Sequence, residues 1–123
     1  MNYEINYNPV KEFVSIKFKG KLNFKMAEEY SVQAAKLAHS KNCHKFLIDH
    51  TETKLDEGVY KLHTDGAALE KFGFKSNDKI AIVILPGKDS KPFFSKKVFD
   101  VKWSNFKYFD NVKEAVDWIT GGD

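Results

Sequence analysis

Apolar and polar residues alternate twice near the start of the chain, at Tyr3, Ile5 and Tyr7 and, after Asn8-Pro9, at Val14, Ile16 and Phe18. A period of two puts every second side chain on one face of a strand. The pattern therefore predicts two half-buried strands joined by a turn, an antiparallel hairpin. The period then changes. Gly20 ends the second strand and Asn23 is placed to cap a helix, and Ala27, Tyr30, Ala34, Leu37 and Ala38 recur at steps of three and four to about Ser40. That spacing gives one apolar helical stripe.

The stretch from Lys45 to Leu62 reads as a strand (Phe46, Leu47, Ile48, Asp49), a polar turn (His50, Thr51, Glu52, Thr53) and a helix opening near Asp56. Val59, Leu62, Gly66 and Leu69 fall on one stripe of that helix, and Gly73 is its expected left-handed stop. Lys79 to Leu85 is an unalternating β-branched run, the mark of a strand covered on both faces, and Pro86-Gly87 closes it. Pro92 suits the first turn of a third helix with Phe94, Val98 and Val101 on one side. Lys107 to Phe109 is a short last strand. Asn111 with Glu114 three residues on has capping-box spacing, and Val112, Ala115, Val116 and Ile119 form the apolar face of a final helix.

The order ββαβαβαβα predicts a single α/β domain with a mixed, mostly parallel sheet of about five strands and four helices. Strands joined through helices favour parallel crossovers, so only the first strand is expected to be antiparallel. The central strand is expected to be Lys79–Leu85 or Phe46–Asp49. Ligands of such sheets sit at strand C-terminal ends, which puts the floor of any site in the stretch from Lys45 to Leu62.

Composition narrows the classes. The 123 residues suit one domain, and 42% hydrophobic with 30% charged residues is ordinary globular chemistry. All 20 basic residues are Lys, and the net charge is only +3. Without a guanidinium to read bases and phosphates bidentately, nucleic acid is not an expected partner. Cys43 is the single cysteine, so no internal disulfide forms, and Met1 to Glu4 shows no basic segment before an apolar run. A cytoplasmic location is expected. The longest apolar run, Ile80 to Leu85, falls far short of the roughly 20 residues that cross a bilayer, so no integral membrane segment is expected.

Three pieces of sequence carry a resemblance: Lys45-Phe46-Leu47-Ile48-Asp49, Ile80-Ala81-Ile82-Val83, and the ending Tyr108-Phe109-Asp110-Asn111-Val112-Lys113-Glu114-Ala115-Val116-Asp117-Trp118-Ile119. With the element order, they resemble the SpoIIAA-like family, bacterial proteins related to STAS domains (sulfate transporter and anti-sigma factor antagonist) and more distantly to CRAL-TRIO lipid carriers. The resemblance implies a non-enzymatic regulatory or protein-interaction module. It also implies a phosphorylated Ser at the start of the helix after the third strand, in an Asp-Ser-Ser-Gly-like stretch. This chain departs there, reading Thr51-Glu52-Thr53-Lys54-Leu55-Asp56-Glu57-Gly58 with no Ser. Asp56 and Glu57 stand in for permanent charge at that position, or simply satisfy the preference of any helix N-terminus for acids.

Chemistry-bearing residues are sparse. His39, His44, His50 and His63 include no pair at the i, i+4 spacing of His-Glu-x-x-His. Asp49 and His50 stand at a strand end, and since adjacent strand residues point to opposite faces, the two do not converge on one atom unless the strand has already ended. Cys43 precedes the third strand as a structural thiol; neither a Gly-x-Ser-x-Gly elbow nor a glycine-rich phosphate loop occurs. No catalytic residue, cofactor or metal is expected. Lys88 to Lys102 holds five Lys and two Asp, and a helix burying Phe94, Val98 and Val101 turns Phe99 and Trp103 away from that stripe. Either these two aromatics form a partner surface, homodimer seam or lid, or Trp103 lies past the helix end and folds back onto the core. The candidate surface is thus Asp49, His50, Thr51, Thr53, Asp56, Phe99 and Trp103, serving a protein partner or a homodimer. The alternative function is a carrier or sensor of a small apolar, lipid-like ligand, with Phe, Tyr and Trp lining a space between helices and sheet.

Overall fold

The computed structural model describes residues 3–54, 71–75, 77–84 and 106–121. Five strands form one sheet in sequential order: β1 (Tyr3–Asn8), β2 (Phe13–Lys21), β3 (Lys45–Lys54), β4 (Lys79–Val83) and β5 (Phe106–Phe109). β1 runs antiparallel to β2 with Ile5 opposite Ile16, and the three later pairs are all parallel. Of the two strands expected at the centre, β3 occupies it. The hairpin turn is tied by Asn8, whose Oδ1 accepts from the backbone N–H of Val10 and of Lys11, each at 3.0 Å.

Two helices lie among the described residues, α1 (Phe24–Ser40) and α2 (Val112–Gly121). Both caps are those the sequence predicts: Asn23 Oδ1 accepts from Met26 N at 2.9 Å, and Asn111 Oδ1 from Glu114 N at 2.8 Å. Each satisfies a backbone donor that the first helical turn leaves without an internal partner. The helices expected from Asp56 and from Pro92 fall outside the described residues. Gly73, the expected stop of the former, is described, and its φ of 101° is a left-handed conformation that favours glycine.

The sheet is covered on both faces. Phe46 and Ile48 of β3 and Ile80 and Ile82 of β4 join Ala27, Tyr30, Ala34 and Ala38 of α1 in one cluster, while Leu47, Ala81 and Val83 join Ala115 and Ile119 of α2 in the other. Strict alternation therefore exists in β4, but both sets of side chains are apolar, which is why the sequence showed an unbroken run. Val112 departs from its expected place on the apolar face. It is the first residue of α2, one turn before the buried Ala115, and is exposed.

One boundary is corrected. His50 to Thr53, expected as a turn, are strand residues, because β3 continues to Lys54 alongside β2. The pairing passes from Lys17↔Asp49 to Lys19↔Glu52, so His50 and Thr51 together oppose Phe18. This is a bulge, in which an extra residue on one strand changes the local facing of side chains without ending the ladder. β2 likewise runs one residue beyond Gly20, its expected end.

Candidate functional site

The bulge decides what the C-terminal end of β3 can do. Residues three apart on a regular strand point to opposite faces, yet His50 Nδ1 and Thr53 Oγ1 meet at 3.1 Å. Thr53 Oγ1 donates to Phe18 O at 2.6 Å, using its single proton. It can only accept from the imidazole, so His50 carries hydrogen on Nδ1. His50 Nε2 then accepts from the hydroxyl of Tyr30, 3.2 Å away on α1. The chain Tyr30, His50, Thr53, Phe18 O runs in one donor direction, and Tyr30 and His50 are each only 1% exposed. Burial pushes the Tyr30 phenol well above its usual pKa, which keeps it a donor.

On the other side of β3, Asp49 Oδ1 accepts from Thr51 N at 2.9 Å and from Thr51 Oγ1 at 2.7 Å. Beyond them Glu52 reaches Lys17 at 3.2 Å and Lys19 at 4.0 Å. The hydrogen bond from Lys17 to Glu52 raises the Lys17 pKa, with the charges of Glu52 and Asp49 adding to it. These pairs are open to water and therefore contribute little to stability. They form a polar strip of mixed sign along the β2–β3 end.

A second constellation lies at the opposite, N-terminal end of β3 and β4. Asp78, fully buried, accepts from His39 Nε2 at 2.9 Å through Oδ2 and 3.1 Å through Oδ1, and from His44 Nδ1 at 2.7 Å through Oδ1. Its Oδ2 also accepts from Lys75 N at 2.8 Å. A carboxylate taken wholly from water is tolerated because these donors replace the water. The imidazoles remain partly accessible, with side-chain exposures of 19% for His39 and 33% for His44. His39 is held edge-on to Phe46, at an interplanar angle of 87°. The turn between His39 and His44 is braced by Asn42 N on His39 O and Cys43 N on Ala38 O, and Lys79 N donates to His44 O. All three ligand-type atoms lie within 4.8 Å of one another.

No protein-family model matches the chain, and no curated protein matches its sequence. Solved structures do match over nearly the whole length. An anti-sigma factor antagonist from Mycobacterium paratuberculosis superposes with a TM-score of 0.60 at 12% identity, covering 95% of this chain and 93% of its own. The unphosphorylated anti-sigma factor antagonist SpoIIAA matches at 0.53 with 16% identity, covering 97% and 98%. The fold is SpoIIAA-like. A SpoIIAA-like protein from Shewanella loihica matches at 0.55 with 21% identity, covering 95% and 91%.

Within this SpoIIAA-like fold the predicted surface residues separate. Asp49 and Thr51 share one side of β3, while His50 and Thr53 are drawn together into the fold; His50, expected in a polar turn and on the candidate surface, is instead buried beneath Tyr30. Asp56, Phe99 and Trp103 lie outside the described residues. Cys43 is buried as expected, its thiol donating to Glu12 O at 3.2 Å. The His39, His44 and Asp78 cluster was missed, because spacings of five and 34 match no ligand motif. The signal was in the strand pairing: Lys45 stands beside Lys79 in the parallel register, which brings the preceding residues, His44 and Asp78, to one sheet end.

Proposed function

We propose that the protein is a non-enzymatic regulatory module that binds a protein partner through the C-terminal end of β2 and β3, with Asp49, Thr51 and Glu52 at its centre. The observation that carries this reading is the engagement of both ring nitrogens of His50 inside the fold. Among the described residues, the imidazole at this strand end, suited to moving protons near neutral pH, is committed to structure, which supports a mixed-charge recognition strip in place of a reaction centre. The likeness to anti-sigma factor antagonists supports the same reading by fold. Phe99 and Trp103 supply a second contact, to a partner or to another copy of the chain. The aromatic abundance that raised a lipid-like carrier finds another use among the described residues, where Phe18, Tyr30, Phe46 and Phe74 pack ring against ring.

Site-specific photo-crosslinking tests this. A photoreactive residue at Thr51 should capture one defined protein in cells, and the same probe at Val10, exposed in the turn at the other end of β2, should not. Equal capture from both positions, or none from Thr51, would overturn the assignment.

A further inference from the structure

Imidazole and carboxylate groups converging from three separate segments have a use beyond a hydrogen-bonded tie. His39 comes from the last turn of α1, His44 from the entry to β3 and Asp78 from the entry to β4. We propose that His39 Nε2, His44 Nδ1 and the carboxylate of Asp78 form a binding site for one divalent transition-metal ion of zinc type, with water completing its coordination.

Two imidazoles and one carboxylate are the donor set of open zinc and related sites, where three protein ligands leave a position for water. The observed N···O separations of 2.7 to 3.1 Å lie slightly below the roughly 3.3 Å edge of a tetrahedron with bonds of about 2.0 Å. A spread of a few tenths of an ångström admits the ion, which takes the place of the two N–H hydrogens. No electron moves; each imidazole binds the ion as the neutral tautomer, its hydrogen passing by way of water from the coordinating nitrogen to the other ring nitrogen.

The supports are those an outer shell provides. Lys75 N holds Asp78 Oδ2, Phe46 fixes the plane of His39, and Lys79 N fixes the backbone of His44. Entry is open from two sides. A cavity of about 340 Å³ reaches His44 and another of about 400 Å³ reaches His39. The nearby Lys79 ammonium is drawn away from the cluster, lying 4.6 Å from the centre of the Trp118 ring and donating to Trp118 O. The ion would pin the end of α1 to the two central strands at the sheet end remote from the recognition strip.

The test uses the full chain, purified without a histidine tag and stripped with a chelator. Titration with Zn²⁺ against a chromogenic chelator should give one ion per chain, and Co²⁺ should give a visible d–d spectrum of low-symmetry, tetrahedral type. His39→Asn and His44→Asn, which leave the buried Asp78 its Lys75 N partner, should each weaken binding at least tenfold and remove the Co²⁺ spectrum. Circular dichroism confirms that each variant is folded, and Cys43→Ala should bind as the unaltered chain does. Zn²⁺ binding no tighter than millimolar, or tight binding unchanged in both histidine variants, would refute the site and leave His39 and His44 as hydrogen-bonding ties to Asp78.

Discussion

Replacing Thr53 by Val keeps the shape of the side chain and removes its hydroxyl, which isolates the hydrogen-bonded chain at the β3 bulge. Two bonds are lost, from Thr53 Oγ1 to Phe18 O and from His50 Nδ1 to Thr53 Oγ1. Their protein partners stay behind in a region where His50 is 1% exposed. Depriving a buried donor or acceptor of its partner costs about 1–3 kcal/mol each, and the added methyl returns less than about 1 kcal/mol at a half-buried position. The net loss should be about 1–5 kcal/mol. For a domain of this size that lowers Tm by roughly 4–20 °C. Thr53→Ser keeps the hydroxyl and should cost only about 1 kcal/mol for the missing methyl. Thermal melting followed by circular dichroism compares the three proteins, and ¹⁵N chemical shifts of the imidazole report whether His50 carries its proton on Nδ1. Equal melting of the Val and Ser variants, or an Nε2-protonated His50 in the unaltered protein, would refute the donor order from Tyr30 to Phe18.

Three further outcomes are expected. Ile82→Asp places a charge between α1 and the centre of the sheet at a position 1% exposed, and should cost several kcal/mol and leave the chain unfolded or aggregated; a soluble variant melting normally would show the position is not core. The raised pKa of Tyr30 means the native state holds this proton more tightly than the unfolded chain does, so its contribution is complete below about pH 10 and lost as pH rises beyond that. Urea unfolding at pH 9 and pH 11 should accordingly show a larger loss for the unaltered protein than for Tyr30→Phe, and equal losses would contradict the burial of that phenol. Phe99→Ser with Trp103→Ser should weaken association in sedimentation while melting stays intact; a loss of folding instead would place both side chains in the core.

Periodicity carried most of the described fold because it registers which face of an element meets apolar neighbours. Asn23 and Asn111 were legible as caps since capping is local chemistry, satisfied within three residues. The end of β3 was not legible. His50, Thr51, Glu52 and Thr53 are all polar, so no apolar alternation marks them as strand, and the continuing β2 partner with the bulge opposite Phe18 keeps them in the sheet. Tertiary pairing there supplies what the missing apolar pattern does not show. The His39, His44 and Asp78 cluster was hidden for a related reason: its members are neighbours through a parallel register, and the register depends on the whole sheet.

The sequential strand order has a consequence for how the molecule is made. A chain emerging from the ribosome at about 5–20 residues per second presents β1, β2, α1 and β3 in turn. Each joins a neighbour already present, and Phe18, Tyr30, Phe46 and Ile48 can come together before β4 exists. The reverse face has no such schedule. Leu47 is synthesised early, but its cover, Ala115 and Ile119 of α2, arrives more than sixty residues later. For that interval Phe13 of β2 is the neighbour Leu47 already has among the described residues of this face, and Ala81 and Val83 join it still without α2, leaving an apolar surface that a nascent-chain chaperone would cover. Ribosome-stalled chains ending before residue 112 should therefore retain chaperone that chains extended past Ile119 release.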